Sequence, residues 1–377
     1  MVDFILLGNS VRIALPVLQA LHSASDARCA VVGSKDTLGL RKSSLCEQHA
    51  LVDFAGDDDT VRTLNQLADI SPHAILIPFD CEAVRLFNRI KDRLSLGSIP
   101  VSDLATLDMF DDKWAFHQFC LDSTLPVPLT RFIGDKSLLD FDALQADLGL
   151  PFIVKPTNAS GSLGVQVVQD RDDFQQKIVD NTDYEFSTLI AQQFIEGVDV
   201  DINLLSVSGQ LRALSIHRAG QACIDFMPSP ELEAITQTLC QRSRYNGLMN
   251  VDVRQETSTG KFFLIESNPR FWASLASTIE CGLNFAAESV KLAPPMTQPL
   301  RLTTGRSYTR HPFLRPSCWW RLALDRSEQG RLLRARAFDP YSLGELVQQL
   351  QSAFLRLPQR GLQKIQGRGV TKVVNGS

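Results

Sequence analysis

The sequence predicts an N-terminal α/β domain on a parallel sheet, then an α+β body of two lobes, then a basic C-terminal appendage. Three observations carry this. Short apolar runs alternate with helix-spaced segments through residue 105. From about Thr106 the alternation gives way to strand pairs joined by turns. From Leu300 onward the charge reverses sign, with 14 Lys and Arg against 4 Asp and Glu, whereas the first 299 residues carry 24 against 38.

The elements follow in order. FILLG reads as a first buried strand, VRIALPVLQALHSA as a helix and CAVVG as a second strand; AILIPF and CEAVRLFNRIKDRL repeat the pair. MVDFILLGNS has no basic leader region and no cleavage signal, so it reads as a strand and not as a signal peptide. Gly8 ends that strand, but GNSVRIA lacks GxGxxG spacing and reads as a plain turn into a helix. Next come a helix around DDKWAFHQFCLDS, a turn at LPVPLT, the strand PFIVKP and its return GVQVV. A second block holds the strands LIAQQFI, VDINLLSV and QLRALSIH, the helix PELEAITQTLCQRS, and the strands LMNVDVRQ and KFFLIES. PPMTQPL punctuates the end. Domains are therefore expected at 1–105, 106–190, 191–295 and 296–377.

Composition narrows the class. A chain of 377 residues exceeds one ordinary core. With 44% hydrophobic and 21% charged residues, and mean hydropathy of −0.03, it is globular and neither collagenous nor disordered. No apolar run approaches the roughly 18 residues of a membrane helix. The eight cysteines are scattered without CxxC pairs or zinc spacing, which suits free thiols in a cytoplasmic protein.

Three segments carry chemistry. Lys155 ends a strand and leads into Asn158-Ala-Ser-Gly-Ser-Leu-Gly164. There Gly161 and Gly164 would let backbone N–H groups approach an anion, and Lys155 adds a point charge. Taken alone, such loops are as commonly plain hairpins. Glu266 and Asn268 lie two apart on one strand and share a face, with Asp252 opposite them if TSTG turns the hairpin. Three oxygen donors there suit Mg²⁺, with Mn²⁺ as an alternative; the competing reading is an acidic strand edge in water. In AQQFIEGVDVDIN, Asp199 follows a turn at Gly197, placed either for ribose hydroxyls or as a solvated hairpin acid.

The order Asp112-Lys113, Phe152-Ile-Val-Lys155-Pro156, the Ser/Gly loop, Gln192-Gln193-Phe194-Ile195-Glu196-Gly197 and Ile265-Glu266-Ser267-Asn268-Pro269-Arg270 resembles the ATP-grasp superfamily. The match covers roughly residues 1–295, and NPRFWAS followed by ECGLNF looks most like its carbamoyl-phosphate-synthase-like branch. The resemblance implies a pre-ATP-grasp domain followed by a two-lobed ATP-grasp fold, with Mg·ATP as the working nucleotide. By position, Lys113 and Lys155 would bind the α- and β-phosphates. Ser160, Gly161, Ser162 and Gly164 would close over the β- and γ-phosphates. Gln192, Gln193, Phe194 and Ile195 would hold adenine largely through backbone groups, and Asp199 the ribose. Asp252, Glu266 and Asn268 would ligate one or two Mg²⁺, and Arg270, with Lys155, would serve the transferring phosphoryl group. Gln192 stands where an acid is frequent, and Asp199 where Glu is commoner.

The implied activity is an ATP-dependent ligase that activates a carboxylate as an acyl phosphate for an amine or other nucleophile. The alternatives are carbamoyl-phosphate-type activation of bicarbonate and a non-catalytic Mg·ATP scaffold. Partners are then small-molecule substrates. Arg218 could meet an acceptor carboxylate or form a surface pair, and Arg254 shares its strand with Asp252. The tail mixes nine arginines across residues 300–336 with Trp319 and Trp320. Docking on the acidic body is the expected role, weak contact with an anionic membrane the alternative, and a homodimer is compatible. No nucleic-acid motif accompanies the arginines.

Overall fold

The computed structural model describes residues 1–159, 161–220, 222–291, 298–344, 346–348 and 350–351. The first domain is a five-stranded parallel sheet of β1 (Phe4–Leu7), β2 (Cys29–Gly33), β3 (Cys46–Leu51), β4 (Ile75–Pro78) and β5 (Gly97–Ser98), ordered β3-β2-β1-β4-β5. Helices α1 (Val11–Ser25), α2 (Asp57–Ile70) and α3 (Cys81–Ile90) make the crossovers. Both faces of β1 are covered: Leu6 packs with α1, while Ile5 and Leu7 pack with α2 and α3. That double burial is why the strand reads as an unbroken apolar run.

Two short helices, α4 (Leu104–Asp111) and α5 (Lys113–Asp122), lead into the body. Asp112 separates them and caps the second, its carboxylate accepting the Ala115 N–H at 2.8 Å. The small lobe is an antiparallel sheet of β6 (Thr130–Ile133), β7 (Phe152–Pro156), β8 (Gln166–Val168) and β9 (Leu189–Gln193), ordered β6-β9-β7-β8. Helices α6 (Phe141–Leu148) and α7 (Arg171–Phe174) close its core.

The chain changes sheets across Phe194–Glu196 and enters β10 (Gly197–Val207), the spine of a seven-stranded sheet. It pairs with β11 (Gln210–Ala219) and β13 (Gly247–Glu256), which pair in turn with β12 (Cys223–Phe226) and β14 (Phe262–Asn268). One face carries Val200, Ile202, Val251, Val253 and Leu264 into a core with α4, α5 and α8 (Pro230–Ser243). Strand periodicity leaves the other face polar, and that face bears the site.

Two expected boundaries shift. β9 continues the small-lobe sheet to Gln193, so the lobes divide at Phe194–Glu196 and not at 190. At the far end, β15 (Leu300–Leu302) pairs β11 and β16 (Gly305–Tyr308) pairs β12, so residues 300–308 belong to the large-lobe sheet. Beyond α9 (Leu275–Glu280), α10 (Phe285–Val290) and α11 (Trp319–Leu324), α12 (Glu328–Phe338) buries Leu332 and Ala335 in the core shared with α1. Arg331 donates to the Ser23 carbonyl, and Asp339 accepts from Ser43 at 2.7 Å. The C-terminal segment does dock on the body, but through a shared apolar core more than through surface charge.

Candidate active site

On the polar face of the large sheet, three carboxylates stand side by side on adjacent strands. Asp201 on β10 is in register with Asp252 on β13, which is in register with Glu266 on β14. Their carboxyl groups touch. Burial first, and then Glu266 and Asp201, push the Asp252 pKa well above the usual carboxylate range. His217, paired with Asp201 across β11, places Nε2 3.2 Å from its carboxylate. One row further on, Asn203, Asn250 and Asn268 form an amide ladder with contacts of 3.1 and 3.2 Å.

Two lysines from outside the sheet close on this row. The Lys113 backbone N–H donates to Thr157 at 2.8 Å, fixing the start of α5 against the end of β7. Its Nζ lies 3.3 Å from Glu266 Oε2 and donates to the Ala159 carbonyl at 2.5 Å. Lys155, also buried, sits within the field of Glu266, Lys113 and Asp252. Burial holds its pKa down at about 8, opposed by Glu266. The sequence placed these five groups on separate segments; the fold makes them one cluster.

The donor set fits a hard divalent cation. Crowded, partly buried carboxylates repel one another unless positive charge intervenes. Among the described residues, no group of three or more His, Cys, Asp or Glu side chains forms a complete metal cage. Two carboxylates and an amide oxygen nonetheless match Mg²⁺, which keeps waters and takes substrate phosphates as its remaining ligands.

The loop after β7 overhangs the cluster, and Ser160 lies outside the described residues. Gly161, Ser162 and Gly164 adopt φ of +66°, +63° and +74°. A Cβ at Gly164 would fall 2.6 Å from the Phe186 ring and 2.9 Å from Pro156, so only glycine fits there. Tyr184 donates to the Gly164 carbonyl at 2.7 Å and anchors the loop's far end. Gly161 and Ser162 face the cleft.

The segment Gln192–Ile195 runs through the junction between the lobes. The Gln192 side chain is buried and donates to Thr130 at 3.0 Å, so it faces the small-lobe interior and leaves only backbone to a ligand. The Gln193 N–H is taken by Leu129. Arg254 donates to the Ile195 carbonyl at 3.0 Å, pairs with Asp199 and lies over the Phe194 ring at 5.9 Å. Arg254 therefore braces the junction, and Asp199, with its side chain 72% exposed, remains open to solvent.

Arg218 does not join the site. It is in register with Val200, on the face opposite Asp201, and it donates to Gln255. A one-residue step along a strand reverses the face, which separates Arg218 from His217. Arg270 does join, donating to Asn268 Oδ1 and to the Phe271 carbonyl, each at 2.9 Å. Asp201 and His217 were not among the expected site residues. The alternation in VDVDIN was the one signal for Asp201, which shares a face with Asp199.

The cluster opens into a cleft of about 1020 Å³ walled by the first domain, with Asn9, Ser10, Arg12, Asp80 and Glu82 facing it. The turn after β1 thus borders the site. The Asn9 and Ser10 N–H groups are held by the Asp80 carboxylate, at 2.6 and 3.2 Å.

The family model described as ATP-grasp in the biosynthetic pathway with Ter operon matches residues 185–307, and that of the D-ala D-ala ligase C-terminus matches 131–228. Together the two matches make residues 131–307 similar to ATP-grasp and D-ala D-ala ligase domains. The chain is 28% identical over 130 residues to a D-alanine–D-alanine ligase of Coprothermobacter proteolyticus, covering 33% of the chain and 42% of that enzyme. The matched stretch is thus under two thirds of the relative's length. It is 24% identical to a D-aspartate ligase of Enterococcus faecium over 75% of the chain and 74% of the relative. In fold, it is similar to N5-carboxyaminoimidazole synthetase from Staphylococcus aureus complexed with ADP, with TM-score 0.61, 14% identity and 80% of each chain covered. It is likewise similar to an L-amino acid ligase from Bacillus licheniformis, with TM-score 0.57, 17% identity and coverage of 76% and 73%. No helix among the described residues is long and apolar enough to cross a membrane.

Proposed function

We propose that this protein is an ATP-dependent carboxylate–amine ligase. The observation that carries the reading is the convergence of Lys113 and Lys155 on the row Asp201, Asp252 and Glu266, beneath a glycine-bearing loop. Phosphoryl transfer asks a protein mainly to position the reactants and neutralise charge, and these residues are suited to both. ATP would lie between the lobes, with adenine against Phe194 and Ile195. Its phosphates would meet Lys113, Lys155 and the backbone of Gly161–Gly164. Asp252, Glu266 and Asn268 would hold Mg²⁺, which supplies charge neutralisation at the transferring phosphoryl oxygens.

A carboxylate oxygen of the donor then takes the γ-phosphoryl group, and ADP leaves. The amine nitrogen of the acceptor attacks the resulting acyl carbon, phosphate departs, and the nitrogen gives up its proton as the amide forms. Arg270 is placed to steady the phosphoryl oxygens during both displacements. The acyl phosphate is sensitive to water, so the 158–164 loop would serve as its cover. The similarity to D-alanine–D-alanine, D-aspartate and L-amino acid ligases favours amino acids as donor and acceptor.

The test is release of ADP and phosphate from Mg·ATP against pools of D- and L-amino acids, with bicarbonate plus ammonia as a separate arm. Release that requires an amino acid supports the ligase. Release with bicarbonate alone would replace it by carbamoyl-phosphate-type chemistry. Tight Mg·ATP binding with no turnover on any pool would make the protein a nucleotide-binding scaffold.

A further inference from the structure

The cleft does not end at the phosphate cluster. A second cavity of about 780 Å³ adjoins it, and Arg12 and Ala273 line both. One wall is a single face of α1, which brings Arg12 and Gln19 to the same side. The opposite wall comes from the C-terminal segment, through His311, Arg336, Tyr341 and Ser342. This annex exists because that segment packs on α1; without it, the α1 face would be open surface.

Its chemistry is opposite to that of the main cleft. Asp36, Asp80, Glu82 and Asp111 line the cleft along with the three site carboxylates. Among the described residues that line the annex there is no Asp or Glu. Arg12 makes no ion pair or hydrogen bond among the described residues, although it stands at the junction of the two cavities. Arg336 shares the buried Glu280 with Arg315, so two guanidinium groups face one carboxylate and the trio keeps a net positive charge. His311 accepts the Phe313 N–H on Nδ1 at 3.3 Å, and its buried Nε2 lies against the Arg336 backbone. Unneutralised guanidinium charge at the mouth of a cavity whose described lining holds no acid is a site for an oxyanion.

We propose that the annex binds an anionic group at the far end of the acceptor substrate. The acceptor would be an extended amine, its nitrogen in the acid-lined cleft and its carboxylate or phosphate past Arg12. This deepens the ligase reading and rests on it. Arg12 is the specificity-determining residue, and the C-terminal segment supplies the remaining wall.

The experiment uses the full chain with Mg·ATP, an alanine donor and matched amines: glutamate and glutamine, glycylglutamate and glycylglutamine, phosphoethanolamine and ethanolamine. The anionic member of at least one pair should be preferred by about tenfold or more in kcat/KM, mostly through KM, as expected for one charge-assisted contact. The pair that shows the preference distinguishes carboxylate from phosphate. Arg12→Gln should reduce the preference to within about threefold, and Arg12→Lys should restore part of it, with Mg·ATP affinity unchanged. Equal use of charged and neutral amines, or a preference that survives Arg12→Gln, overturns the annex while leaving the ligase intact. If no amine of any charge supports ADP release, the ligase reading falls instead. Saturation-transfer NMR of glycylglutamate and glycylglutamine on the Mg·ADP-loaded protein then decides the annex directly. Arg12-dependent binding of the acid supports it, and equal binding of the two refutes it.

Discussion

Replacing Lys113 by methionine removes the charge that faces Glu266 while keeping most of the side-chain volume. The Nζ to Oε2 distance is 3.3 Å, and the two side chains are 8% and 19% exposed, so solvent screens the pair little. At an effective dielectric of about 20, the direct attraction is about 5 kcal/mol. Desolvation of both ions offsets part of that, leaving an expected coupling of about 2–3 kcal/mol. Lys113→Met alone should cost about 3–5 kcal/mol, because it strands Glu266 beside Asp252 and takes the donor from the Ala159 carbonyl. Glu266→Gln should cost less, because it relieves the crowding on Asp252. The double variant should then be more stable than the sum of the singles implies. Equilibrium denaturation without nucleotide, followed by tryptophan fluorescence and circular dichroism, measures all four proteins. Repeating it at about 0.5 M salt should leave the coupling largely intact, since a buried pair is weakly screened. A coupling below about 0.5 kcal/mol would place the pair at the surface value and refute the argument for a preorganised cluster.

The remaining predictions follow from individual contacts. Lys155, held at about 8 against the ordinary 10.5, loses its charge in the nucleotide-free protein as pH rises through about 8. Phosphates favour the charged form, so Mg·ATP affinity should fall above that pH and binding near pH 8.5 should take up a proton. Calorimetry in two buffers of different ionisation enthalpy reads the uptake, and an unchanged Lys155→Arg profile would assign it elsewhere. Arg270→Ala should lower turnover by about 10²–10³-fold while nucleotide affinity stays within about threefold. Loss of ATP binding would instead make Arg270 a brace for Asn268. Gly164→Ala should destabilise by about 1–3 kcal/mol more than Gly161→Ala, because both have positive φ but a Cβ is obstructed only at Gly164; equal thermal midpoints would contradict this. Deleting residues 300–377 removes β15, β16 and α12 and uncovers apolar core, so the fragment should aggregate in sedimentation runs. A monodisperse 1–299 chain would show that the segment is separable.

Much of the candidate site's row is readable from the sequence alone. Glu266 and Asn268 were placed on one face by a period of two, and Asp252 opposite them by the TSTG turn; the observed register agrees. Lys155 at a strand end and the Gly161–Gly164 loop were equally local signals. Asp201 and His217 were missed because their role depends on which strands neighbour which, and nothing within VDVDIN distinguishes Asp201 from Asp199. For Arg218 the sequence leaves a substrate contact and a surface pair both open; one residue along the strand decides the face, and Arg218 pairs with Gln255.

The order of elements, the two-lobed body and the residue types needed for phosphates and metal were determined by the sequence itself, because helix and strand periodicities are properties of neighbouring residues. Tertiary structure alone decided that Lys113 meets Glu266, that Arg254 braces the junction while Arg270 reaches the site, and that the C-terminal segment roofs a cavity on α1. These outcomes depend on sheet order and on long-range packing. An isolated segment can state what a side chain is able to bind, but only the folded chain brings the opposite charge within 3.3 Å of it.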